Sequence, residues 1–131
     1  MINQILDKIK SAKKILLISH VNPDGDTLGS VCAMKLFIGD KADILVQTEK
    51  EKGIPDIYKF LPEINNAKFL DTVEDIYDLS IALDVASIDR IVEIPRKIFD
   101  KTDTVCIDHH KTNKGYAKLN FIKGGYSSTG E

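Results

Sequence analysis

Cysteine is scarce in this 131-residue chain, long apolar runs are missing, and neither sign of charge dominates it. The two cysteines, Cys32 and Cys106, are far apart and each lies inside an apolar run. That pattern offers no disulfide framework; they read as buried thiols of a protein kept in a reducing cytoplasm. No stretch approaches the roughly 18–20 apolar residues that a membrane span requires, so no membrane partner is expected. Residues 1–13 are polar at every second or third position and carry no small-residue cleavage site, which excludes a signal peptide. The net charge is −2, with 18 basic against 20 acidic side chains and no basic tract. Long duplex nucleic acid is therefore not expected as a partner, since no basic tract is present to neutralise its backbone. An anionic substrate would need positive charge from a source other than lysine. Repeats, low-complexity tracts and linkers are also absent. What remains, 43% apolar and 29% charged residues, describes one globular domain over residues 1–131.

Ile2, Ile5, Leu6 and Ile9 recur at helical spacing behind Asn3, a candidate cap, and predict a short amphipathic helix. Ile15-Leu16-Leu17-Ile18-Ser19-His20 is a strand-length apolar run of the kind buried on both faces of a parallel sheet. Asn22-Pro23-Asp24-Gly25 has turn chemistry, and Leu28, Val31, Cys32 and Leu36 mark a helix that stops at Gly39. Further strands are expected at Ile44-Leu45-Val46, Ala67-Lys68-Phe69-Leu70, Ile81-Ala82-Leu83-Asp84, Thr104-Val105-Cys106-Ile107-Asp108 and residues 118–122. Helical stretches are expected near residues 55–61 and 88–99. Strands alternating with helices predict an α/β fold with a mainly parallel sheet, flanked by helices on both faces. Ser128-Thr129-Gly130-Glu131 has the spacing of a capping box, the start of a helix. A single first turn is not a stable helix, so the sequence reads as a C-terminally truncated piece of a longer protein.

All three histidines of the chain fall at the ends of expected strands, each beside aspartates: His20, then Asp84, then Asp108-His109-His110. In open α/β sheets that is where the ligand crevice lies. The loop after the first strand adds Asp24 and Asp26, which would point the same way on an extended segment. Two such carboxylates repel unless a cation sits between them. Histidine with carboxylates suits manganese, iron or zinc. His20, Asp24, Asp26, Asp84 and His109 are more donors than one ion needs. Two ions sharing a carboxylate would use them all, clamp both oxygens of a phosphoryl displacement, and supply the missing positive charge.

Three segments, His20-Val21-Asn22-Pro23-Asp24-Gly25-Asp26-Thr27-Leu28-Gly29-Ser30, Ala82-Leu83-Asp84 and Ile107-Asp108-His109-His110, resemble the first three motifs of the DHH phosphoesterases. The Pro before the first aspartate and the Gly-Ser after the second are most similar to the branch of bacterial oligoribonucleases and phosphatases of phosphoadenosine phosphate. The resemblance implies a manganese-dependent hydrolase with two Mn2+ per complete site. It makes His20 and Asp24 ligands of one ion, Asp26 and His109 ligands of the other, and Asp84 the bridge. Asp84, Asp108, His109 and His110 would carry the catalytic work, with Asp108 and His110 orienting His109 or touching the substrate phosphate. Gly29 and Ser30 would open the following helix and face a phosphate with their amides.

The implied substrates are short oligoribonucleotides or 3'-phosphoadenosine 5'-phosphate. Alternatives in the same resemblance are a cyclic-dinucleotide phosphodiesterase and a manganese-dependent inorganic pyrophosphatase; a non-catalytic metal or nucleotide-binding module is a third. The family also has a fourth motif with another metal-binding aspartate and a second, smaller domain that holds the nucleotide. Both are expected to lie outside these residues, leaving the second ion a ligand short and the piece alone poorly active. Apolar surface left uncovered would favour self-association, which makes a homodimer a candidate assembly.

Overall fold

The computed structural model describes residues 1–131. Helix α1 (Ile2–Ser11) follows Met1 and has no side-chain cap; Asn3 lies inside it rather than ahead of it. Its anchor is apolar, with Ile5 and Ile9 buried one turn apart. Its end is held by Lys41, whose ammonium donates to the carbonyls of Ile9, Lys10 and Ala12, a favourable place for a cation.

Strand β1 (Ile15–Ile18) is buried along its whole length. It is followed by α2 (Gly25–Ile38), which ends at Gly39 with φ 92°, a conformation that only glycine adopts without strain. Then come β2 (Ala42–Leu45), β3 (Leu79–Leu83), α3 (Glu93–Lys101), β4 (Asp103–Asp108) and β5 (Leu119–Ile122). The strands form one sheet in the order β2-β1-β3-β4-β5, and every pairing is parallel. Helices cover both faces. Because side chains alternate along a strand, Ile15 and Leu17 face α1 and α2 with Leu28 and Val31, whereas Leu16 and Ile18 face α3 with Ile98 and Phe99. Cys32 and Cys106 are buried free thiols, one in each layer of this packing.

Three expected elements differ. Residues 67–70 make a single parallel bridge, Leu45 with Lys68, rather than a strand. They lie at the open edge of β2, pinned by Lys68 N–H to Ile44 and Leu70 N–H to Thr48, and turn away at once. The helical stretch at 55–61 contracts to one 3-10 turn, Asp56–Tyr58. The stretch at 88–99 divides into a 3-10 turn, Ile88–Arg90, and α3. Pro95 explains the division. It lacks an N–H and is accommodated only in a first helical turn, so the helix containing it must begin at about residue 93.

The order of strands reverses direction at β1, with β2 on one side and β3 on the other. Such a reversal opens a crevice at the carboxyl ends of the central strands. Register then decides what faces it. Ile18 pairs with Ala82, and Ala82 with Cys106. Two residues further along each chain, His20, Asp84 and Asp108 stand side by side across the sheet's end.

Candidate metal centre

Asp84 is the middle of the arrangement. It is 2% exposed and sits at φ 63°, a left-handed conformation unusual for a side chain other than glycine, asparagine or aspartate. The turn it makes after β3 aims its carboxyl back across the sheet end. Asp84 Oδ2 lies 3.7 Å from His20 Nε2, and Asp84 Oδ1 lies 3.3 Å from His109 Nε2. Each oxygen thus faces a different imidazole.

The two imidazoles bring one more carboxylate each. His20 Nε2 is 3.5 Å from Asp24 Oδ1, and His109 Nε2 is 3.4 Å from Asp26 Oδ2. Asp24 and Asp26 therefore do not act as a pair on an extended segment, as their spacing alone suggests. Asp24 is the cap of α2 and accepts the Thr27 N–H at 3.1 Å, while Asp26 already belongs to the first helical turn. The helical turn between them directs the two carboxylates to different histidines.

Backbone carbonyls fix how the rings are presented. His20 Nδ1 meets the Val21 carbonyl at 2.6 Å, and His109 Nδ1 meets the Tyr126 carbonyl at 3.1 Å. A carbonyl only accepts, so both Nδ1 atoms carry hydrogen and each Nε2 faces the carboxylates with a lone pair or a second proton. Lone pairs facing carboxylates repel. Protons or cations must lie between them.

The electrostatics carry the same signature. Burial pushes the Asp84 carboxyl up to about 6, with the Asp26 charge adding to the rise. Burial also works against ionisation of Asp26, but the amides of Thr129 and Gly130 outweigh it and hold that carboxyl below its usual range. The His109 imidazole is raised, first by the Tyr126 carbonyl on Nδ1 and then, against its desolvation, by Asp84 and Asp26. Two close carboxyls whose proton affinities are driven apart are sharing a proton in the absence of other positive charge. No lysine or arginine pairs with Asp24, Asp26, Asp84 or Asp108; their ion-pair partners are the three imidazoles.

This donor set fits divalent cations. Ligand atoms about 2.1 Å from a metal lie roughly 3.0–3.4 Å apart, and the nitrogen–oxygen separations here are 3.3–3.7 Å. Two groups can each hold an ion: His20 with Asp24 and Asp84, and Asp84 with Asp108, His109 and His110. Asp26 adds to the second through its contact with His109.

Asp108, on the end of β4, is buried and hydrogen-bonded through both oxygens. Its Oδ1 accepts the His109 N–H at 2.9 Å and meets His110 Nδ1 at 2.7 Å, while Oδ2 accepts from Asn113 at 2.8 Å. It holds the His109 backbone and the His110 ring in place. The His110 side chain is more open, 40% exposed. Gly29 and Ser30 lie one turn inside α2, which starts at Gly25, so they do not open the helix and their amides are spent in it. Ser30 contributes instead through its hydroxyl, 3.3 Å from Asp26 Oδ1.

Several contributors escape the sequence reading. Thr27 accepts the His20 N–H at 3.3 Å and donates to the Leu83 carbonyl at 2.9 Å, joining the ends of β1 and β3. Gln47 ties Ser19, Arg90 and Val92 together beneath the first loop. Asn113, five residues past Asp108, is recognisable only once the turn after β4 is known. Thr129 touches both Asp26 and Asp84. Beside the His20–Asp24 loop a polar cleft of about 310 Å³ is lined by Asn22, Pro23, Gln47, Thr48, Lys52, Gly53 and Pro55.

A parallel α/β sheet with imidazoles and carboxylates converging at its switch point makes a candidate metal-site domain. The sequence matches the DHH family, N-terminal domain, over residues 14–131; the chain belongs to the DHH family, whose members are metal-dependent phosphoesterases. It is similar to the uncharacterized protein MG371 of Mycoplasma genitalium, 29% identical over 130 residues, which are 95% of this chain and 38% of that protein. It is also similar to the bifunctional oligoribonuclease and PAP phosphatase NrnA of Thermus thermophilus, 29% identical over 119 residues, 89% of this chain and 34% of that protein. The chain thus spans less than two fifths of either relative's length. The crystal structure of an exopolyphosphatase-related protein from Bacteroides fragilis has the same fold, with a TM-score of 0.85 at 24% identity over 98% of this chain and 40% of that one. No helix is long and apolar enough to cross a membrane.

Proposed function

We propose that this chain carries the metal centre of a manganese-dependent phosphoesterase acting on short oligoribonucleotides or 3'-phosphoadenosine 5'-phosphate. The observation that carries the reading is the position of Asp84, each of whose oxygens faces a different histidine–aspartate pair. His20, Asp24 and Asp84 Oδ2 would hold one cation, and Asp26, His109 and Asp84 Oδ1 the other. Bound there, a pair of cations supplies Lewis acidity and an activated water to phosphoryl chemistry.

The chain's own residues do the rest. Asp24 is held by the first turn of α2 and Asp84 by its left-handed turn, so both carboxylates are preorganised before substrate arrives. Asp108 fixes the His110 ring through Nδ1; an imidazolium held there would donate from Nε2 to a phosphate oxygen. The cleft beside Asn22 and Lys52 offers polar groups and one ammonium to the part of the substrate beyond the scissile phosphate. The likeness to an oligoribonuclease and PAP phosphatase supports a nucleotide substrate, and the buried free thiols suit a reducing cytoplasm.

The test is turnover by the full-length protein with manganese, offering 3'-phosphoadenosine 5'-phosphate, a dinucleotide, a cyclic dinucleotide and pyrophosphate side by side. Release of phosphate from the first or of mononucleotides from the second is expected. Hydrolysis confined to the cyclic dinucleotide or pyrophosphate would reassign the substrate. Bound manganese with no turnover of any of the four would favour a binding module.

A further inference from the structure

Residues 127–131 fold back over the metal centre, and Thr129 makes the contacts. Its N–H donates to Asp26 Oδ2 at 2.9 Å, and its hydroxyl donates to Asp84 Oδ1 at 2.9 Å. The Gly130 N–H donates to Asp26 Oδ1 at 3.1 Å. The segment is itself pinned, with Ser127 donating to the Glu131 carboxylate and the Glu131 N–H to Ser128.

The choice of oxygens is selective. Asp26 Oδ2 and Asp84 Oδ1, the two that Thr129 reaches, are the two that face His109 Nε2 at 3.4 and 3.3 Å. The His20 side, with Asp24 Oδ1 and Asp84 Oδ2, receives no hydrogen bond from this segment. A carboxylate oxygen offers two lone pairs, so an oxygen that accepts from Thr129 keeps one for a cation. Apart from the imidazoles, Thr129 is the group that donates a hydrogen bond to the Asp84 carboxyl, at the oxygen that faces His109.

We propose that Thr129 is a positioning residue for the His109-side cation, aligning one oxygen of Asp26 through its amide and one oxygen of Asp84 through its hydroxyl. It acts on that cation and leaves the His20-side cation alone. The proposal rests on the two-cation reading above and adds a specific partner to it. Outer partners of this kind typically govern metal affinity by 10–100-fold.

The experiment compares the full-length wild-type protein with Thr129→Val, which keeps the amide and the branched shape but loses the hydroxyl, and with Thr129→Ser, which keeps the donor. Manganese binding is followed by equilibrium dialysis and by electron paramagnetic resonance, which distinguishes a lone ion from a coupled pair. Wild type should bind two ions and show the coupled signal. Thr129→Val should bind the first ion unchanged, weaken the second by 10–100-fold and lose the coupled signal at concentrations that saturate wild type. Thr129→Ser should restore both. Melting in chelator reports folding, and Thr129→Ala against Thr129→Ser makes the same comparison if the valine does not fold.

Equal weakening of both ions, no weakening, or tighter binding on loss of the hydroxyl would each overturn the assignment; the last would mean that Thr129 competes with the ion. Wild type that binds fewer than two ions would instead sink the two-cation reading, seen before any variant is made, and the role of Thr129 with it.

Discussion

Replacing Asp84 with asparagine removes one charge from a buried point of the metal centre and preserves the left-handed turn, which asparagine tolerates as aspartate does. In the metal-free protein burial raises the Asp84 carboxyl to about 6 from an ordinary 3.8. A folded-state value above the unfolded one means that the folded protein holds the proton more tightly. The resulting stability is complete below pH 3.8 and is lost as pH rises through about 6. At about 1.4 kcal/mol per unit, metal-free wild type gives up roughly 3 kcal/mol from this group by pH 7.5, an order-of-magnitude figure because Asp26 shares the proton. Asp84→Asn escapes that loss. In chelator at pH 7.5 the variant should therefore melt higher than wild type, by up to about 10 °C for a domain of this size, with the gap roughly halved at pH 5 and closed only below pH 3.8. Manganese reverses the ranking, because a ligand present at 1,000 times its dissociation constant adds about 4.1 kcal/mol to the form that binds it, and the variant has lost the shared ligand. The assay is thermal melting at pH 5 and 7.5, with chelator and with manganese. A variant less stable than wild type in chelator at pH 7.5, or an equal manganese shift in both proteins, would refute the reasoning.

Two further outcomes are expected. In turnover with manganese, Asp84→Asn should lose more activity than Asp26→Asn, because Asp84 faces both imidazoles whereas Asp26 faces His109 alone; equal losses would remove Asp84 as the shared ligand. Away from the site, Asp78 accepts the N–H groups of Lys13 at 2.9 Å and Lys14 at 2.9 Å, and although burial works to raise it, these amides keep its carboxyl below the usual range. Its stabilisation is present above the ordinary carboxylate range and is lost as pH falls through its lowered value. Asp78→Ala should cost about 1 kcal/mol, as for loss of a helix cap, in denaturant melts at pH 7, and progressively less as pH falls through the lowered carboxylate range.

Much of this protein is determined locally. Ile15-Leu16-Leu17-Ile18 is apolar on both faces, and only a sandwiched parallel strand hides both, so the layered α/β fold follows from the run itself. Gly39 stops α2 and Pro95 opens α3 because their backbones permit little else. The DHH resemblance is equally local, since its three motifs are short and each ends a strand. Where chemistry depends on neighbours distant in sequence, local pattern is silent. Residues 67–70 have the composition of a strand, but whether an edge segment pairs over four residues or one depends on the rest of the sheet. Asp24 and Asp26 look like one pair until the helix start between them is known. Register alone sets His20, Asp84 and Asp108 abreast, and the left-handed turn at Asp84 directs its two oxygens to different imidazoles. Thr129 is a small polar residue without a motif until the chain returns across more than a hundred positions to Asp26. Composition and periodicity choose the layers; the meeting of side chains at the sheet's end is decided by long-range pairing, which a one-dimensional pattern does not encode.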